Sequence, residues 1–329
     1  MRFGSAALPL VLAALLLSAC ASGSAAPRSS NPLAGQAFYV EPGNVAAQQV
    51  AEWRQLDQGA NAAVLERVST QPVGAWFTGQ QGVTRQLHVF GGKASAAGRS
   101  ILVVAYDIPG RDCGAFSRGG ASSASAYKAW IEQIAAGIAR AKATVILEPD
   151  AIAQTFSHCL PANRDAERYE LLSFAIGALR RHPNIAVYLD AGNPGWVSDV
   201  RGLARALRRS GVARANGFAL NVSNFYKVPT VVAYGRRISR LLGGAHFVID
   251  TSRNGNGPDT SPADEPKWCN PPGRAIGANP TTNTGIALVD AFLWVKQPGS
   301  SDGSCRPGEP RAGQWWPNYA LELARNAHA

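Results

Sequence analysis

Short and almost uninterrupted apolar runs alternate with longer amphipathic stretches along this chain, and this alternation limits the possible folds more than any other feature. Seven of the runs have the length of buried strands. Strands that are apolar on both faces indicate a parallel sheet covered by helices on both sides. The predicted strands are residues 72–77, 101–106, 144–147, 185–189, 217–220, 246–249 and 291–295.

Helical periodicity fills most of the intervals between these runs. The pattern predicts an α/β fold whose parallel strands form a barrel, with one strand fewer than the eight of a regular barrel. A doubly wound open sheet is the alternative. With 46% hydrophobic and 16% charged residues, a chain of this length can bury one large core, so we expect a single domain over residues 36–329. The predicted helices are residues 44–68, 125–142, 165–181, 197–210, 230–242 and 319–327.

The chain is basic, with 32 Lys and Arg against 22 Asp and Glu and a net charge of +10. Most basic residues are scattered, and the two dense groups, within 201–209 and 236–240, have helical spacing. Such groups are typical of solvated helix faces, so we expect no nucleic-acid partner. A nucleotide-binding fold has little support because the chain shows no glycine-rich phosphate loop.

Residues 1–20 have the pattern of a signal peptide. Arg2 precedes an apolar run at 6–17 that is too short to span a membrane comfortably. The sequence LSAC at 17–20 resembles a bacterial lipobox, so we expect an exported protein anchored to the membrane by a lipid on Cys20. Ordinary signal cleavage without a lipid is the alternative. The small and polar residues that follow predict a flexible tether over 21–35.

Four further cysteines predict two disulfides in an exported chain. Three pairings are possible, and the order of the cysteines suggests the local pairs Cys113–Cys159 and Cys269–Cys305. No pair has the CxxC spacing of a zinc site, and we expect neither a metal nor a cofactor.

Acidic residues follow strand after strand. The carboxyl ends of parallel strands share one face of the sheet, where active sites are assembled. Converging like charges cost stability unless they serve a purpose, so this row predicts a site that works through carboxyl groups. The strand-end acids are Asp107 and Asp112, Glu148 and Asp150, Asp190, Asp250 and Asp302.

Three tryptophans lie near the same strand ends. Trp76 lies at the end of the first predicted strand, Trp196 follows the fourth, and Trp268 precedes Cys269. Core packing is the usual role of a single Trp, but the loop positions of Trp196 and Trp268 favour ligand contact. Flat indole faces beside carboxylates indicate a site for pyranose rings, whose apolar faces stack while their hydroxyls form hydrogen bonds.

Eight segments together resemble glycoside hydrolase family 6, in that family's order, from about residue 36 to the end. The resemblance implies a distorted seven-stranded β/α barrel and the hydrolysis of β-1,4-glucans such as cellulose with inversion. The segments are YDIPGRDCG (106–114), ILEPDAIA (146–153), YLDAG (188–192), GFALNVSN (217–224), FVIDTSRNG (247–255), WCNPPGRAIG (268–277), DAFLWVKQPGSSDG (290–303) and GQWWPNYALELARNA (313–327).

The resemblance also implies residue roles and the same cysteine pairing. Asp150 matches the general acid, Asp112 the carboxylate that keeps that acid protonated and helps to organise the water, and Asp302 the disputed candidate base. Tyr106 matches a tyrosine beside the distorted sugar. With the two loop tryptophans, the expected substrate contacts are Trp76, Asp190, Trp196, Asn224, Trp268 and Lys296.

Two positions depart from the family pattern. We expect these departures to affect the substrate preference and the rate of hydrolysis. Ser300 replaces a usual Glu, and Asn193 replaces a usual His. The loops are short, which favours an open cleft and endo-action. The alternatives are a cellobiohydrolase, or a catalytically weak surface lipoprotein that binds β-glucan.

Overall fold

A computed structural model of the chain describes residues 1, 3–4, 30–261 and 266–327. Cys20 and most of the predicted signal peptide and tether lie outside the described residues. No helix among the described residues is both long enough and apolar enough to cross a membrane.

The core of the fold is a single sheet of seven strands in which every neighbouring pair is parallel. The strands follow one another in chain order from edge to edge, which excludes the doubly wound alternative with its reversal of strand order. The predicted distorted seven-stranded barrel is therefore confirmed. The strands are β1 (Ala75–Phe77), β2 (Ile101–Ala105), β3 (Ala143–Leu147), β4 (Ile185–Asp190), β5 (Gly217–Leu220), β6 (His246–Asp250) and β7 (Val289–Leu293).

The two edges of this sheet approach each other without forming a ladder. The Gly74 N–H donates to the Trp294 carbonyl over 2.9 Å, and Trp76 Nε1 donates to the Val295 carbonyl over 2.9 Å. A Cβ at position 74 would lie 2.5 Å from the Val295 oxygen, so only glycine permits this approach. The sheet therefore curls into an incomplete barrel.

Nine α-helices lie within the described residues and cover the sheet; the prediction merged two of them into one and missed those over 83–96 and 153–156. The predicted helix 44–68 is two helices, because the chain turns between them at Asp57, where φ is 58°. The helix over 83–96 was missed because adjacent glycines lower its intrinsic propensity; Gly91 lets it pack closely on Ala141. The helices are α1 (Val45–Gln55), α2 (Gly59–Ser69), α3 (Val83–Ala96), α4 (Ala124–Ile138), α5 (Ala153–Phe156), α6 (Ala162–Arg180), α7 (Val200–Arg209), α8 (Val228–Leu241) and α9 (Pro317–Arg325).

Residues 31–39 cross the amino-terminal end of the barrel. Leu33 is buried with the apolar side chains that fill the barrel interior. Asn31 Nδ2 donates to the carbonyls of Thr282 and Asp290, over 3.1 and 2.8 Å. Residues 31–35, which the composition assigned to the tether, are thus part of the folded domain.

Two disulfides join loops at the carboxyl end of the sheet. They are Cys113–Cys159 and Cys269–Cys305, the local pairs that the order of the cysteines suggested. The first fastens the segment after β2 to the segment after β3, and these two segments carry Asp112 and Asp150.

Candidate active site

Asp150 lies in the tight turn that follows β3. Both Glu148 and Asp150 have positive φ, 48° and 71°, a conformation that Asp tolerates better than most residues. The turn brings the Asp150 carboxyl next to Tyr106, whose hydroxyl donates to Oδ2 over 3.3 Å. The pKa of Asp150 is raised to about 7, first by burial and then by the negative charge of Asp112, against the opposing effect of the Tyr106 hydrogen bond.

Asp190, at the end of β4, stabilises this turn through hydrogen bonds to the backbone. Its Oδ2 accepts the N–H of Asp150 over 2.9 Å and that of Gly192 over 3.1 Å. Burial, followed by the charge of Asp150, raises the pKa of Asp190 to about 8. The Asp190 side chain is fully buried and holds the backbone of the acid; the substrate contact that the resemblance implied for it stays a prediction.

Asp112 lies in a short 3₁₀ turn, Asp112–Gly114, where φ is 56°. Its Oδ2 accepts the N–H of Ser117 over 2.5 Å. Burial raises the pKa of Asp112, although the Ser117 hydrogen bond and the charge of Arg111 act in the opposite direction. The adjacent Cys113 fixes this turn through its disulfide.

Arg168 of α6 ties the loops of these two acids together. Its Nη1 donates to the Ala151 carbonyl over 3.1 Å and to Gln154 Oε1 over 2.8 Å, and Nη2 donates to the carbonyls of Pro109 and Gly110 over 3.2 and 3.1 Å. One buried guanidinium thus joins the residue after Asp150 to the residues before Asp112. No local sequence signal distinguishes Arg168 from the other arginines of its helix.

Glu148 also stabilises the segment after β2. Its carboxyl accepts the N–H of Asp107 and that of Ile108, each over 3.0 Å. Burial raises the pKa of Glu148 to about 8 against these hydrogen bonds. Glu148 was recognised as a strand-end acid, but its bond to the neighbouring loop could not be read from the sequence.

Asp302 has a different environment. Arg253 donates to both of its oxygens, over 2.8 and 3.0 Å, and Lys296 Nζ lies 3.2 Å from Oδ1. Burial would raise the pKa of Asp302, but the charges of Arg253 and Lys296 outweigh burial and hold the pKa below its usual value. Lys296, expected as a substrate contact, therefore pairs with Asp302. Arg253 lies in the family-like segment 247–255, but the sequence assigned it no role.

The predicted aromatic contacts lie around the same rim. Trp76 meets the Tyr106 ring edge to face at 5.4 Å between centroids. Trp196 is 37% exposed and donates from Nε1 to Ser157 Oγ over 2.8 Å, whereas Trp268 is 45% exposed. Phe116, from the loop after Asp112, contacts Trp268 edge to face at 6.1 Å. The two exposed indoles can each offer a face to a sugar ring.

Several polar side chains of the rim form hydrogen bonds with backbone N–H groups. Asp250 accepts the N–H groups of residues 223, 252, 295 and 296, so it is structural. Asn224 is half-buried, and its Oδ1 accepts the N–H of Phe225 over 2.9 Å. Asn193, one of the departures from the family pattern, is buried and accepts the Gly195 N–H over 3.1 Å. Ser300, the other departure, is half-buried and pairs through the backbone with Trp315.

This arrangement suits acid-assisted cleavage of a glycosidic bond. A carboxyl group that keeps its proton near neutral pH can protonate a leaving oxygen, and a second carboxylate can assist the attacking water. Neighbouring carboxyl groups, together with exposed indoles at the carboxyl end of a parallel barrel, are typical of a glycoside hydrolase.

The comparisons with known proteins agree with this class. The model of the family "Glycosyl hydrolases family 6" matches residues 33–327. Endoglucanase A of Cellulomonas fimi is 42% identical over 294 residues, which are 88% of this chain and 61% of that protein. Endoglucanase 1 of Streptomyces halstedii is 37% identical, over 87% of this chain and 88% of that protein. The chain thus spans about three fifths of the length of the first of these relatives.

Solved structures extend the likeness to the fold. The endoglucanase Cel6 from Mycobacterium tuberculosis, in complex with methyl-cellobiosyl-4-deoxy-4-thio-β-D-cellobioside, superposes with a TM-score of 0.83 at 42% identity, over 90% of this chain and 99% of that one. The catalytic core of the cellobiohydrolase Cel6A from Chaetomium thermophilum gives 0.78 at 27% identity, over 91% and 99%. The chain belongs to glycosyl hydrolase family 6.

Proposed function

We propose that this protein is an exported endo-β-1,4-glucanase that hydrolyses cellulose or a related β-glucan with inversion. The observation that carries the proposal is Asp150, a half-buried carboxyl in contact with Tyr106 whose pKa is raised to about 7. Such a group still carries its proton at a pH near neutral, where it must donate that proton to the glycosidic oxygen. The endoglucanases among the relatives support the substrate class.

Asp112 is the better candidate than Asp302 for the proton acceptor. A base must take up a proton from the attacking water, so a raised pKa favours this role and a depressed one opposes it. The pKa of Asp112 is raised, whereas Arg253 and Lys296 hold that of Asp302 low. In the proposed reaction, Asp150 protonates the leaving oxygen, Asp112 assists the water, and Asp302 keeps two cations in place.

The decisive experiment compares Asp150→Asn with wild type in the release of reducing sugar from carboxymethylcellulose and barley β-glucan. Loss of a general acid lowers kcat by about 10²–10⁴-fold. Asp57→Asn is the matched control, because Asp57 is exposed and also has positive φ, so the same chemical change there leaves kcat unchanged. Equal rates for Asp150→Asn and wild type would exclude the proposed acid.

Endo-action rests on the exposed indoles of Trp196 and Trp268, which favour an open cleft. An endo-acting enzyme lowers the viscosity of carboxymethylcellulose early, when few reducing ends have appeared. A cellobiohydrolase, the activity named for one structural neighbour, would release cellobiose with little change in viscosity.

A catalytically weak β-glucan-binding protein is the second candidate. It is favoured by Asn193 and Ser300, whose side chains differ from the usual His and Glu of the family pattern. If wild type binds β-glucan but releases no more sugar than Asp150→Asn, this second function replaces the first.

The proposal includes attachment to a membrane through a lipid on Cys20, on the strength of the LSAC sequence at 17–20. Metabolic labelling with a radioactive fatty acid tests it directly. Label in wild type and none in Cys20→Ser is the expected result, and an unlabelled wild type would contradict the anchor.

A further inference from the structure

The two ends of the barrel differ in charge. Acidic residues crowd the carboxyl ends of the strands, around the candidate active site. The seven segments that lead into the strands at the opposite end, all within the described residues, contain no Asp or Glu. These segments are 70–74, 97–100, 139–142, 181–184, 210–216, 242–245 and 284–288.

Exposed basic residues take the place of acids at this amino-terminal end. They occupy the connecting segments and the last turns of α7 and α8, and we call them the basic end. The helix dipole accounts for cations in a last turn, but Arg99 and Lys142 lie beyond their helices, next to the strands. The basic end comprises Arg99, Arg140, Lys142, Arg181, Arg208, Arg209, Arg214 and Arg240.

Few of these charges are neutralised. Arg181 pairs with Glu132, while Arg208 and Arg214 donate to the Leu241 carbonyl and to Ser173. In the described part of the chain, no ion pair is formed by Arg99, Arg140, Lys142 or Arg240. The basic end therefore presents a positive potential to whatever faces it.

The amino-terminal segment of the chain enters the domain at this same end. Asn31 binds the carbonyl of Asp290, the second residue of β7, and Tyr39 N–H donates to Ser100, directly before β2. Ser100 adjoins Arg99 of the basic end. Residues 31–39, the first described segment after Cys20 in the sequence, thus reach the domain beside these basic residues.

We propose that the basic end is a docking surface for anionic phospholipid. It holds the domain with its amino-terminal end on the bilayer and its candidate active site directed away from the lipid. The biological setting rests on the proposed Cys20 anchor, but the surface itself does not depend on catalysis. Each basic residue near an anionic surface strengthens binding roughly fivefold.

The test uses the full chain with Cys20→Ser, which has no acyl group, and vesicles of phosphatidylcholine with or without phosphatidylglycerol. The apolar run at 6–17 is present in every sample, so only the difference between the two vesicle types is interpreted. We expect at least about tenfold tighter binding to the anionic vesicles at low salt.

Two quadruple variants of equal net charge locate the surface. The end variant changes Arg99, Arg140, Lys142 and Arg240 to Ser, and we expect it to lose at least about tenfold in binding to anionic vesicles. The flank variant changes Arg201, Arg205, Arg236 and Arg237, exposed residues elsewhere on α7 and α8, to Ser and should lose less than threefold. Equal losses in both variants would overturn the proposal, as would equal binding of wild type to the two vesicle types.

Two further measurements complete the test. The first is competition by polyphosphate. If polyphosphate displaces anionic vesicles at stoichiometric charge, and if its binding depends on the same four residues, the basic end binds a soluble polyanion and the lipid proposal is overturned.

The second is hydrolysis of a soluble β-glucan, which should proceed at the same kcat/KM with and without anionic vesicles, because the cleft faces away from lipid. Inhibition by vesicles would overturn this orientation. An inactive protein that still shows the vesicle preference would refute the proposed catalysis alone.

Discussion

The half of the site around Asp150 and the half around Asp302 use the same residue type in opposite ways. Asp302 is buried and Asp150 is half-buried, yet the pKa of Asp150 is raised to about 7 and that of Asp302 is lowered. Among the described residues, no cation lies within ion-pair distance of Asp150, whereas Arg253 and Lys296 both contact Asp302. Desolvation acts to raise the pKa of both aspartates, so the difference between them comes from the neighbouring charges, which hold Asp302 ionised.

The largest effect should come from breaking the Asp302 half. Asp302→Ala leaves Arg253 buried without its partner, and breaking a buried pair in this way costs about 3–5 kcal/mol in the free energy of unfolding. Asp150→Ala removes a carboxyl that pairs with no cation, so it should change that free energy much less. Urea denaturation at pH 7 with the disulfides intact measures both. Equal losses would show that Asp302 is not held by its ion pairs.

The dependence of stability on pH should also separate the two halves. Asp150 has a folded-state pKa above its unfolded value, so folding takes up a proton and stability falls as pH rises from about 4 to about 7. The lowered pKa of Asp302 acts in the opposite sense: its contribution is present above the unfolded pKa and is lost as the pH falls through the folded pKa. Asp150→Asn should therefore flatten the decline between pH 4 and pH 7. A decline as steep as that of wild type would assign it to other buried acids.

Arg168 offers a way to disturb the Asp150 half without touching a carboxyl group. Arg168→Met removes the bonds between the two acid loops and should lower kcat by about 10–100-fold through misplacement of Asp150 and Asp112, with KM nearly unchanged. Arg168→Lys should recover only part of this loss, because an ammonium lacks the fork that reaches both loops. Arg164→Met, an exposed change on the same helix, is the matched control. If Arg168→Met lowers the thermal stability but leaves kcat unchanged, the role of Arg168 is only structural.

The sequence was sufficient for the parts of this molecule that depend on local pattern. The strands were found because each is a continuous apolar run. Asp112, Asp150 and Asp302 were among the seven acids that the convergence of strand ends predicted, and the resemblance to the family singled them out. The pairing of Arg253 with Asp302 spans 49 residues and leaves no local trace. The opposite pKa directions of the two halves follow from that pairing, so they could not be read from the sequence.

The smallest effects should appear in the pH profile of kcat/KM, which reports the pKa values of the free enzyme. In the proposed reaction, loss of the proton from Asp150 sets the alkaline limb of this profile. Tyr106→Phe removes a hydrogen bond that favours the ionised form, so the limb should move to higher pH. Asp112→Asn removes the charge that raises the pKa of Asp150, so in its residual activity the limb should move to lower pH. Shifts in the same direction for both variants would mean that a group other than Asp150 controls the limb.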